Sequence, residues 1–122
     1  MSGIHAISTY DVRYYSTILT ANWGGFTFKN HGWIVCDTDE SGDRFVITIA
    51  PDNEPLHDGA TVTVGGAEVG FIAIRRSDLS TFVDILRNEG PVYMQIYTGN
   101  FDSFNRIFTG AEPVGEGEVA MP

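Results

Sequence analysis

Apolar side chains recur at every second position along most of this chain, and that period gives way to an unambiguous helical one only once. Tyr10, Val12 and Tyr14, then Phe45, Ile47 and Ile49, then Val92, Met94 and Ile96 alternate with a second set of side chains, as strands do when their two faces meet different surroundings. The exception is Leu79, Phe82, Val83 and Leu86 at i, i+3, i+4 and i+7. This spacing predicts an amphipathic helix over 78–89, capped by Ser77 or Asp78 and stopped by Gly90-Pro91. A chain divided in this way is expected to be α+β: about seven strands in a mostly antiparallel sheet, the helix across one face, and curling into a partial barrel compatible with the pattern.

Glycine and turn residues punctuate the strands. A first strand runs from Ile4 to Leu19, long enough to contain a bend, and Asn22-Trp23-Gly24-Gly25 interrupts it before Phe26 and Phe28 resume alternation. Asn30-His31-Gly32 is predicted to turn the chain into a strand from Trp33 to Asp37, and Glu40-Ser41-Gly42 to turn it again into Arg44–Ala50. Pro51 to Gly59 has two prolines and no period, so it is predicted as a surface loop. The Gly65-Gly66 pair between Thr61–Val64 and Ala67–Ile74 is the clearest hairpin signal, because two-residue hairpin turns demand positive φ. Phe101, Phe104 and Phe108 have helical spacing while Phe104, Arg106 and Phe108 also alternate; the aromatic spacing favours a short helix over 101–109. Residues 1–110 are expected to form one globular domain and the Gly-, Pro- and Glu-rich residues 111–122 an acidic tail.

At 122 residues, with 43% hydrophobic and 19% charged residues, the chain has core material enough for an ordered domain. Cys36 is the single cysteine, which excludes an intrachain disulfide and a zinc site built from thiolates alone. Its place in the run Trp33-Ile34-Val35-Cys36 predicts an inert, buried thiol. The opening residues Met1 to His5 carry neither a basic nor an apolar signal region, and no apolar run approaches the length of a bilayer span. A cytoplasmic protein that does not cross a membrane is the expectation.

The charge is concentrated. Net charge is −9. Between Asp37 and Asp58 stand seven acids (Asp37, Asp39, Glu40, Asp43, Asp52, Glu54 and Asp58) and one base, Arg44, and the tail adds Glu112, Glu116 and Glu118; the remainder of the chain balances to zero. Such a block disfavours phosphate backbones and anionic lipids and suits a cationic protein surface.

Signs of reaction chemistry are few. Asp37, Asp39, Ser41 and Gly42 resemble the opening of a calcium loop, but Thr48 occupies the twelfth position, where a bidentate glutamate belongs. His5, His31 and His57 are each twenty-six residues apart, without the close spacing of metal ligands on one element. No nucleophile elbow, phosphate loop or dinucleotide fingerprint is present. The chain is therefore expected to be no enzyme, with no metal and no cofactor. Aromatics cluster between Tyr10 and Trp33, and Tyr14, Tyr15 and Trp23 are candidates for a stacking surface. The leading expectation is a small binding module, an adaptor or inhibitor, that presents the seven acids to a basic partner. The alternatives are a single-stranded nucleic-acid binder, which would need Arg13, Lys29 and Arg106 to cluster, and a self-assembling subunit that uses a sheet edge or the segment from Phe101 to Phe108.

Overall fold

The computed structural model describes residues 3–23, 26–39, 42–56, 60–96 and 105–109. Among these residues eight strands and one helix follow in the order β1 (Gly3–Ala6), β2 (Thr9–Trp23), β3 (Phe26–Asp37), β4 (Arg44–Ala50), β5 (Ala60–Val64), β6 (Ala67–Arg75), a 3-10 turn (Arg76–Asp78), α1 (Leu79–Asn88), β7 (Tyr93–Ile96) and β8 (Arg106–Phe108). The strands make a five-stranded sheet ordered β2-β3-β4-β6-β5 and a three-stranded sheet ordered β1-β7-β8, and neither closes into a barrel. The fold is α+β and mostly antiparallel, with one parallel pair, β4 with β6, which places Val46 beside Phe71 and Ile47 beside Ile72.

One core joins the layers. Ile34 and Cys36 from β3, Phe45, Ile47 and Ile49 from β4, and Ile74 from β6 meet Leu86 of α1 and Met94 and Ile96 of β7. These residues alternate along their strands, so the period-two pattern selects the face that α1 and β7 cover. The helix ends at Asn88 before Gly90-Pro91, as its sequence predicts. Its start is satisfied differently: Asp78 makes no side-chain cap, and the Ser77 amide donates to Asp52 Oδ1 at 3.0 Å, a cap supplied from the loop after β4.

Three expectations are corrected. The first predicted strand is two strands in two sheets. Ile7 N donates to Val92 O while Ser8 N donates to Asp37 O, each at 2.8 Å, so the chain passes from one sheet to the other within one residue. Asn30-His31-Gly32 is not a turn but lies inside β3, and β2 and β3 form one long hairpin that reverses between Trp23 and Phe26. The turn-forming residues serve a bulge instead. The β2–β3 register jumps between Tyr14 and Leu19, Gly32 takes φ +125°, and a Cβ there would lie 1.9 Å from the Arg13 carbonyl oxygen. Fully buried Asn30 repairs the broken ladder, accepting from Gly32 N at 2.8 Å and donating to Leu19 O at 3.4 Å.

Arg106–Phe108 is a strand rather than part of a short helix. Pairing with β7 decides this, since Phe108 stacks on Tyr93 at 5.5 Å and Arg106 Nε donates to Gln95 Oε1 at 2.7 Å. The rest of that aromatic segment, 101–104, and the predicted tail 111–122 lie outside the described residues. The Gly65-Gly66 turn is as expected, with φ of +60° and +88°. No helix among the described residues is long and apolar enough to cross a membrane.

Candidate functional site

The acidic block is divided by β4. Asp37, Asp39 and Asp43 flank the connection from β3 into β4, whereas Asp52 and Glu54 follow its other end. Seven extended residues separate the groups by about 20 Å. Several of these acids also hold the fold together. Asp37 Oδ1 accepts from Arg44 Nε at 2.7 Å across the β3–β4 ladder. Asp43 accepts the Glu68 amide at 3.0 Å and stands 3.3 Å from His5 Nε2, tying β4 to β6 and β1. Asp52 receives Ser77 N and lies 3.6 Å from Arg76, while the backbone carbonyls of Asp52 and Glu54 both accept from Arg75 Nη1. Asp39 is exposed. Glu40 and Asp58 lie outside the described residues.

The two described histidines, His5 in β1 and His31 in β3, belong to different sheets. His31 is buried with Nδ1 3.1 Å from the Tyr15 carbonyl oxygen, so this ring nitrogen carries the proton and pins the bulge. Ser16, Thr17 and Asp52 share a surface recess with His31, yet no hydrogen bond among the described residues links them to its ring. His57 is outside the described residues. Among the described residues no group of three or more His, Cys, Asp or Glu is placed to hold a metal ion. Burial, reinforced by neighbouring Asp37, pushes the Cys36 thiol up to about 12, which leaves it protonated and a poor nucleophile at neutral pH.

Two of the three candidate stacking residues, Tyr14 and Tyr15, meet partners within the chain. Tyr14 stacks on His31 at 5.6 Å, Tyr15 meets Trp33 edge-on at 6.2 Å, and both tyrosines remain about two-fifths exposed. Trp23 closes the β2 ladder opposite Phe26, and its side chain lies outside the described residues. The three basic residues a nucleic-acid groove would need belong to different places: Arg13 to the β2 edge, Lys29 to the hairpin arm of β3, and Arg106 to β8 of the other sheet.

Two features stand out that the sequence pattern did not single out. The first is β2 itself. It forms one edge of the five-stranded sheet over fifteen residues and exposes Val12, Tyr14, Tyr15, Ile18 and Leu19, each by 38% or more. Its alternation reads as a half-buried strand, but residues 11–20 are all exposed. The second is the sheet face turned away from α1, where all five strands line a cavity of about 470 Å³. Its signal was present in β4, where Val46 and Thr48 stand between Phe45, Ile47 and Ile49 and leave almost no polar face. That composition belongs to a strand buried on both sides.

Comparison with protein-family models, curated proteins and solved structures finds no match for this chain.

Proposed function

We propose that this is a small non-enzymatic protein-binding subunit whose contact surface is the β2 edge and whose partner is a second copy of itself. The observation that carries this reading is the charge pattern of the edge. In a chain of net charge −9, β2 holds one acid and one base, Asp11 and Arg13, and no proline. Edges that avoid pairing carry like charges, prolines or very short strands. From Thr9 to Tyr14, ahead of the bulge that twists the later part of the strand, the β2 edge has none of these, and it is neutral where two copies must approach.

The pattern is also self-complementary. Thr9 to Tyr14 pair without interruption with Asp37 to Gly32, so this stretch is straight enough to template another strand. An antiparallel pairing with its two-fold axis on Val12 sets Asp11 of each copy opposite Arg13 of the other and Tyr10 opposite Tyr14. Opposite charges and aromatic pairs directly across a ladder each contribute about 0.2–1 kcal/mol. The same arrangement holds the two acidic β3–β4 connections apart, because the Thr9 ends of the paired strands lie about 20 Å from one another. A parallel pairing would set them side by side.

Light scattering across a concentration series tests the reading. The expected result is a reversible rise to the mass of two chains. Asp11→Arg or Arg13→Asp alone places like charges opposite each other and is expected to leave monomers, whereas the double exchange restores the dimer. A wild-type monomer at the highest attainable concentration sinks the proposal. A dimer indifferent to the single substitutions removes the Val12-centred register and leaves only the edge.

A second reading keeps the acidic block as a contact for a basic partner. Exposed Asp39, beside Asp37 and Asp43, favours it for the β3–β4 end alone. Capture of a basic protein that persists after charge reversal at Asp39 would count against it.

A further inference from the structure

In a sheet covered by a helix on one side, alternate side chains on the other side are expected to be polar and solvated. Here they are apolar and recessed. Val35 is 7%, Val46 1% and Phe71 0% exposed on the face opposite α1, and Val62 and Val64 of β5 rise beside them as a wall. The half-open volume of about 470 Å³ falls in the range of small-molecule sites.

The polar side chains at this cavity are Asn22, which donates to Thr27 Oγ1 at 3.2 Å, and two arginines. Arg13 Nε donates to Asp11 Oδ2 at 2.9 Å and Arg44 Nε to Asp37 Oδ1 at 2.7 Å, while the terminal nitrogens of both guanidiniums make no hydrogen bond among the described residues. An arginine can only donate. The two arginines and their two carboxylates cancel in charge, so this side of the cavity offers hydrogen-bond donors without a net positive field. A carboxylate ligand would gain the donors and meet repulsion from Asp11 and Asp37. A neutral acceptor oxygen gains the donors alone.

We infer that this cavity binds an uncharged small molecule with an apolar ring or branched body set against Val62, Val64 and Val69, and one acceptor oxygen held by Arg44, which shares a row of the sheet with Val69 and Val62. Arg13 borders the same space and is also the residue set opposite Asp11 of the second copy in the proposed dimer, whereas Arg44 on β4 takes no part in that contact, so binding through Arg44 does not depend on dimer formation.

Titration with Nile red, an uncharged dye with a carbonyl oxygen, tests the inference, with the sulfonate dye anilinonaphthalene sulfonate as its anionic counterpart. Wild-type protein is expected to give saturable, blue-shifted emission with one Nile red per chain and weaker binding of the sulfonate. Val62→Trp fills the cavity from its wall and is expected to abolish saturable binding. Val64→Trp, at the more exposed rim, repeats the test if the first variant proves misfolded by circular dichroism. Arg44→Ala removes one donor set and is expected to weaken Nile red about tenfold, the value of a charge-assisted hydrogen bond. Absence of saturable binding, or equal binding by a folded tryptophan variant, overturns the site. Tighter binding of the sulfonate than of Nile red overturns the neutral-ligand assignment.

Discussion

The two faces of the five-stranded sheet are buried by different means, and neighbouring residues of β4 show the difference. Ile47 is 0% exposed and Val46 1%, yet Ile47 meets α1 and β7 in a continuous core while Val46 borders a cavity. Accessible surface alone would rank them as equals. What separates them is the number of atoms that lose a partner when the side chain is shortened, which is large in a close-packed core and smaller beside space already open. One face serves stability, and the other keeps room that a stability-optimised core would fill.

Truncation should break or sharpen this contrast most strongly. Ile47→Ala is expected to cost about 2–5 kcal/mol in urea unfolding, and Val46→Ala clearly less, about 1–2 kcal/mol, because little new void is made. Equal losses would mean that the second face is packed as tightly as the first. Gly32→Ala comes next, at about 1–3 kcal/mol or more, since φ +125° is strained for a side chain and the Arg13 carbonyl fills the space. Its effect should reach the cavity through Arg13 and Trp33, so Nile red affinity falls along with stability. Asp52→Ala removes the remote cap on Ser77 and is expected to cost about 1 kcal/mol while sparing the cavity.

Cys36 supplies a smaller test from the core face. Its folded pKa is raised from 9.0 to about 12, so the unfolded chain ionises first and binds fewer protons as pH increases. The stability associated with the protonated thiol is therefore complete below about pH 9 and declines between about pH 9 and pH 12. Cys36→Ala should flatten the alkaline limb of the unfolding curve. At neutral pH a thiol reagent is expected to react only at the rate of unfolding, and rapid modification of the folded protein would contradict the burial.

Local chemistry was legible wherever one residue type has one use. The Gly65-Gly66 turn and the spacing of Leu79, Phe82, Val83 and Leu86 led directly to the β5–β6 hairpin and α1. Asn30-His31-Gly32 misled because asparagine and glycine serve bulges as well as turns, and only the approach of the Arg13 carbonyl distinguishes the two. Phe104, Arg106 and Phe108 fit two periods, and pairing with Tyr93 and Gln95 settled the described part in favour of a strand. The acidic residues were legible as charge but not as geometry. Nothing in their order reveals that β4 divides them or that Asp52 caps a helix twenty-five residues away.

The sequence by itself determined the α+β class, the identity of the helix, the hairpin turn and the inertness of Cys36, because each depends on contacts or conformations within a few residues. Tertiary structure decided which strand became the open edge, which apolar face received α1 and which lines a cavity. Those outcomes depend on strand order and sheet curvature, which bring together side chains such as Arg13, Val46 and Val62. Period-two alternation says that a strand has two faces, and only the arrangement of the sheets says what each face meets.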